Sequence, residues 1–125
     1  HQVIYNGGIA TLADIRNLEV RFPSLPAVMI GQGLLANPCL AIEYREGRPF
    51  TQAESQKAVT AIHDRVFRCA SATLQGDAQI LVHMQSFWRP LENTIDRKLW
   101  KKLVKTSSLA RYRELTAQIG VAVKP

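Results

Sequence analysis

Two short apolar runs, each followed at once by a glycine turn and then a helix-forming segment, constrain this chain more than any other feature. The first is Val3-Ile4-Tyr5, with Asn6-Gly7-Gly8-Ile9 directly after it; residues 11–22 then read as a helix. The second is residues 27–30, followed by Gly31-Gln32-Gly33 and by Leu34-Leu35-Ala36-Asn37-Pro38, which can open a short helix. Short apolar runs bounded by glycine predict buried strands. The order strand, helix, strand, helix predicts two parallel neighbours at residues 2–5 and 27–30, with both glycine turns beyond their C-terminal ends. Glycine lets backbone approach a ligand without a Cβ in the way. Amides at a helix N-terminus favour an anion. A tight turn without a ligand has the same local sequence. The pairing of two such turns at one end points further, because the common phosphate site of a (β/α)8 barrel follows its seventh and eighth strands.

These residues carry a resemblance. Asn6-Gly7-Gly8-Ile9, then Val28-Met29-Ile30-Gly31-Gln32-Gly33-Leu34-Leu35-Ala36-Asn37-Pro38, is similar to the end of the barrel in the tRNA-dihydrouridine synthases. That family's pattern is Asn-Gly-acidic/Gly-Ile followed by Val-Met-Ile-Gly-Arg-Gly-Ala-x-x-Asn-Pro. The likeness is close over residues 3–42 and looser over the helical remainder. It implies an α/β fold: the C-terminal fragment of an FMN-binding TIM barrel, contributing two parallel strands, followed by a mostly α-helical bundle that helps hold tRNA. It implies that Asn6, Gly7, Gly8, Gly31, Gln32 and Gly33 surround the FMN phosphate, with NADPH reducing the parent enzyme. Gln32 departs from the family's Arg, so a site that uses that side-chain charge would bind an anion more weakly here. The family's catalytic cysteine and the residues that hold the flavin ring lie on earlier strands. None is in this chain, Cys39 does not match the cysteine, and the chain alone is expected to have no turnover.

A (β/α)8 barrel needs about 250 residues, whereas this chain has 125. It opens His1-Gln2-Val3 with almost no lead-in to the first strand, and reads as the C-terminal part of a longer protein. Parallel sheets are normally covered on both faces. The two strands are therefore expected to pack on helices 11–22 and 38–45 or on a second copy. Arg45-Glu46-Gly47-Arg48-Pro49 is a break, giving a barrel-like piece at 1–48 and a helical piece at 49–125.

The net charge of +6 is unevenly spread. Residues 1–62 carry five basic and five acidic groups; residues 63–125 carry eleven basic and five acidic. The excess points to an anionic partner for the second half, with a solvated basic surface as the alternative. Its densest part is Arg97, Lys98, Lys101, Lys102 and Lys105, which Arg111 and Arg113 are expected to extend; with the resemblance, the partner is tRNA. Phe87, Trp88 and Trp100 could stack on bases, but their helical spacing reads more readily as core. Another FMN barrel oxidoreductase, or a non-enzymatic helical RNA-binding module, are the competing readings; the second would leave the glycine turns unexplained.

Local signals place the helices. Thr11 caps the first, with Asp14 three residues on and Leu12, Ile15, Leu18 and Val20 or Phe22 inward. Pro23 and Pro26 stop it. Leu40, Ala41 and Tyr44 are expected inward on the helix after Pro38. Thr51-Gln52-Ala53-Glu54 has the form of a capping box and starts a long helix ending near Gly76, with Val59, Ile62, Val66, Ala70 and Leu74 as its stripe, widened by Phe67 and Cys69. His63 is expected at the surface or the core edge. Asp77, Asp96 and Ser107 or Ser108 cap the later helices, and Pro90 ends or bends one of them. Gly120 is expected to end the last, leaving residues 121–125 frayed. Cys39 and Cys69 lack metal-type spacing and read as packing residues of a reducing compartment. With no membrane-spanning run and no signal-peptide pattern, a cytoplasmic protein is expected.

Overall fold

The structure, a computed structural model, describes residues 1–119; the expectations for Gly120 and residues 121–125 lie outside them. The chain forms two compact units, His1–Thr51 and the residues from Gln52 onward.

The first unit holds strands β1 (Ile4–Asn6) and β2 (Ala27–Met29), helix α1 (Leu12–Arg21) between them, and then α2 (Gln32–Ala36) and α3 (Leu40–Glu46). The strands are parallel, pairing Ile4 with Ala27, Tyr5 with Val28 and Asn6 with Met29. Thr11 and Asp14 form a reciprocal box at the start of α1: the Thr11 hydroxyl accepts from Asp14 N at 3.2 Å, and the Asp14 carboxylate accepts from the backbone of Ala10 and Thr11, each at 2.9 Å. Those bonds, the one from Ala10 foremost, hold the Asp14 carboxyl below its ordinary range.

Side chains alternate across a strand, so this register puts Tyr5 and Val28 on one face and Ile4, Asn6, Ala27 and Met29 on the other. Val28 and Ile30 pack with Leu18 and Leu34 against Ile9, Ile15 and Leu40. The opposite face is bare: Ile4 is 61% exposed and Met29 59%. The helices of this unit therefore cover one face of the sheet, not both.

Several inward expectations fail here. Val20, Phe22, Ala41 and Tyr44 are exposed. A buried carboxylate, Glu43, takes the inward place on α3, accepting from Asn37 Nδ2 on one oxygen and from Phe50 N on the other, both at 2.9 Å. Tyr44 turns outward to hydrogen-bond Glu19.

The second unit contains α4 (Gln52–Thr73), α5 (Asp77–Trp88), a 3₁₀ turn (Arg89–Leu91), α6 (Arg97–Lys105) and α7 (Leu109–Ala117). Helix α5 touches α4, α6 and α7, so Ile80, Leu81, Met84 and Trp88 are buried along it. Pro90 ends α5 as its missing N–H requires. Gly76, at φ +86°, holds the N-cap position of α5, and Asp77 is its first helical residue rather than its cap. Asp96 accepts from Leu99 N at 3.0 Å and Ser108 from Arg111 N at 3.2 Å, capping α6 and α7. Three further hydrogen bonds fasten α6 and its C-cap to α5. Gln85 donates to the carbonyls of Leu103 and Thr106 beside the C-terminus of α6, at 3.1 and 2.7 Å. Trp100 Nε1 donates to the Trp88 carbonyl at 2.7 Å.

On α4 the inward residues are Gln56, Val59, His63 and Ala70. At about 100° per residue these four share one stripe, and Ile62 falls to its side. Ile62 and Cys69 are exposed, contrary to expectation, and His63, expected at the surface or the core edge, is buried.

Candidate functional site

The register fixes where the glycine turns lie. Asn6 and Met29 are paired neighbours at the ends of their strands, so the chain leaves both strands at one level. Asn6, Gly7, Gly8, Ile9 and Ala10 from the first turn, with Met29, Ile30, Gly31, Gln32, Gly33 and Ala36 from the second, line one groove of about 530 Å³. Two glycines make this possible. Gly8 sits at φ +49°, in the left-handed region. At Gly33 an added Cβ would lie 1.9 Å from the Ile9 carbonyl oxygen, a contact no side chain tolerates. Without that Cβ, the start of α2 lies directly on the backbone of the first turn.

Among the described residues, none of those lining the groove is charged, and Gln32 is exposed at the first position of α2. The first amides of a helix have no partner within it; Leu34 N is already bonded to Gly31 O at 3.1 Å. An anion here would meet no counter-charge in the lining. Asn37-Pro38 serves the architecture: Asn37 Oδ1 accepts from Cys39 N at 3.1 Å while its amide holds Glu43.

On α6, Leu99 and Leu103 are buried, Trp100 and Val104 half-buried, and Arg97, Lys98, Lys101, Lys102 and Lys105 exposed. Positions 98, 101, 102 and 105 share one side of the helix. Lys102 and Lys105 lie in the last turn, where the helix dipole favours a cation. Arg97 lies 3.7 Å from Glu92, a loose exposed pair that offsets little. Arg111 is paired with Glu114 at 2.9 Å. Arg113 lies elsewhere: its guanidinium sits over the Phe67 ring, 5.3 Å from the centroid, in a cleft with α4 that no α6 residue lines.

The sequence signals did not single out that cleft. His63 lies in an aromatic cluster with Phe67, Phe87, Trp88 and Tyr112. Trp88 Nε1 donates to the Tyr112 hydroxyl at 2.8 Å. That hydroxyl is 2.7 Å from His63 Nε2, and His63 Nδ1 is 3.1 Å from Asp64 Oδ1. With the imidazole neutral, one assignment satisfies all four groups: Tyr112 donates to Nε2, and Nδ1–H donates to Asp64. Burial lowers the His63 pKa below its ordinary 6.5, more than the Asp64 carboxylate raises it. Burial likewise pushes the Tyr112 phenol up.

Among the described residues there is no group of His, Cys, Asp and Glu that could hold a metal ion, and no helix long and apolar enough to cross a membrane. Cys39 is buried, as a packing residue is. Comparison with protein-family models, curated proteins and solved structures gave no significant match.

Proposed function

We propose that this chain is the C-terminal part of a flavin-dependent tRNA-dihydrouridine synthase, acting in the cytoplasm. The observation that carries the reading is the convergence of the two glycine turns on one groove, with Gly33 packed so tightly on Ile9 that only glycine fits. The groove suits the phosphate of FMN: Gly7, Gly8, Gly31 and Gly33 are among its lining residues, and backbone amides can serve an anion without a specific side chain. Gln32 would then contribute its backbone and not a charge.

FMN, reduced by NADPH, would supply the hydride chemistry on the uracil C5–C6 bond; the residues of this chain anchor the cofactor's phosphate end. The substrate must present that base outside its stack, so the protein has to hold the RNA by its backbone while one nucleotide is extracted. The exposed cations of α6, Arg97, Lys98, Lys101, Lys102 and Lys105, are suited to such sequence-independent phosphate contacts. Catalytic residues would come from the strands that precede these two, and those strands would also cover the bare face of Ile4, Ala27 and Met29. In the isolated chain a second copy would be expected on that face instead.

The test is to express the chain with the coding sequence that precedes it in its gene and to record the flavin spectrum and the dihydrouridine content of treated tRNA. Bound flavin and NADPH-dependent loss of uridine are expected. A flavin-free protein that leaves tRNA unchanged would overturn the proposal.

A further inference from the structure

The cleft between α4 and α7 holds polar groups that neither site described above uses. It measures about 360 Å³ and is lined by Thr60, His63, Asp64, Phe67, Trp88 and Arg113, with Thr116, Ala117 and Ile119 closing one side. That volume falls within the range of small-molecule pockets. Its polar groups are arranged rather than scattered. The Asp64 side chain is 66% exposed, and its Oδ1 accepts from His63, leaving Oδ2 for another donor. The Arg113 guanidinium carbon lies 5.3 Å from the centre of the Phe67 ring, within cation–π reach, and its forked N–H donors suit an oxyanion. The cleft thus offers a carboxylate acceptor for an amine, the half-buried Phe67 ring beside the Arg113 guanidinium, and a forked donor for a phosphate.

We propose that this cleft receives one unstacked base of single-stranded RNA that carries an exocyclic amine, cytosine being the best match, with the amine on Asp64 and the adjoining phosphate on Arg113. The proposal rests on the RNA-binding reading above and adds a base-selective site separate from the lysine face. Carboxylates accept from the cytosine N4 amine, where uracil presents a carbonyl oxygen that would face the carboxylate lone pairs. The neutral His63 ring completes the fit: with Nε2 filled by Tyr112 and Nδ1–H held by Asp64, it orients the carboxylate and has no donor left to compete with the amine. Protein–RNA recognition of this kind commonly combines an aromatic or guanidinium plane with hydrogen bonds to the base edge.

Oligocytidylate and oligouridylate of equal length separate this site from the lysines, because both present the same number of phosphates to α6. The 125-residue chain is expected to bind the cytidine oligomer about tenfold more tightly, the low end of one base contact's discrimination. Asp64→Asn keeps an oxygen for His63 but replaces the free oxygen with an amide donor, so the preference should vanish or reverse. Arg113→Gln should weaken cytidine binding and lower the salt slope by about one unit. Lys101→Ala with Lys105→Ala should weaken both oligomers equally and leave their ratio unchanged. Equal affinity of the folded wild-type chain for the two oligomers, or an unchanged ratio in Asp64→Asn, would overturn the proposal. If tRNA still binds through the lysines in that case, the RNA-binding reading stands and only the cleft falls. If neither oligomer nor tRNA binds, both fall.

Discussion

Tyr112→Phe tests the buried network at its one shared atom. Tyr112 and Trp88 are each 0% exposed and His63 6%, so the polar atoms that the substitution strips of partners are almost wholly out of solvent. The hydroxyl accepts from Trp88 Nε1 and donates to His63 Nε2. Phenylalanine keeps the ring and its packing and deletes both bonds. It leaves one buried donor and one buried acceptor without partners. Each such orphan costs about 1–3 kcal/mol, and relief from burying the hydroxyl offsets part of the sum; the expected net loss is about 3 kcal/mol, a change of about a hundredfold in the folding equilibrium. Urea unfolding followed by tryptophan fluorescence measures it, because Trp88 and Trp100 both lie in the second unit. The slope on urea should be unchanged and the midpoint lowered. A double-mutant cycle adds a second criterion: in a His63→Leu background, which has no Nε2 to orphan, Tyr112→Phe should cost about 1 kcal/mol less. A loss below about 0.5 kcal/mol, or identical losses in the two backgrounds, would refute the assignment of the hydroxyl as the shared partner.

Three further outcomes follow from other parts of the molecule. Lys101→Ala with Lys105→Ala should reduce the slope of log K against log salt for tRNA by about one to two units, measured by filter binding over a salt series. Gly33→Ala forces the start of α2 off the Ile9 carbonyl and should destabilise the first unit by about 1–3 kcal/mol as overpacking does, whereas Gly31→Ala, where an added Cβ meets nothing within 4 Å, should change little; amide hydrogen exchange in β2 and α2 distinguishes the two. The His63 pKa is depressed by burial, so the unfolded chain takes up the proton first. This contribution to stability is complete above the ordinary 6.5 and is lost as pH falls from there through the lower folded value. Urea midpoints of the second unit should drop across that interval and stay flat in His63→Leu.

The helix boundaries were legible wherever a local rule acts alone. Thr11 with Asp14, Asp96 and Ser108 cap as their chemistry dictates, and Pro90 ends α5 within two residues of its position in the chain. The parallel strands and the exposed lysines of α6 likewise follow from short-range pattern. The misplacements on α3 and beside His63 share another cause. His63 reads as a surface or core-edge group, and Glu43 is passed over for Leu40, Ala41 and Tyr44, because burial of a polar side chain depends on partners that pattern cannot supply. Tyr112 lies 49 residues from His63, and the partners of Glu43 come from the turn before α3 and the segment after it. Once such a partner is present, the polar group can occupy the inward stripe, and an apolar neighbour is displaced. Ile62 beside His63, and Ala41 and Tyr44 beside Glu43, are the residues displaced. Gly33 is the opposite case: the sequence shows a glycine, but only the approach of Ile9 from the other turn explains why no other residue fits.

On the proposed reading, the two candidate sites would divide anion binding by physical means as well as by position in the chain. The glycine groove is lined without charge, so its attraction for an anion would fall off over the short range of hydrogen bonds. It would select a phosphate by shape and would not gather a polyanion from solution. The α6 face has the complementary property. Its exposed lysines act over about a Debye length and are screened by salt, so they can concentrate RNA but cannot tell one phosphate from another. A ligand held by the groove should therefore bind with little salt dependence, while RNA binding should weaken steeply with salt. The absence of a cation at Gln32 sharpens that separation. An arginine there would have made the groove part of the electrostatic field that attracts RNA, and a nucleic-acid phosphate would then compete with a small phosphate ligand for the same amides.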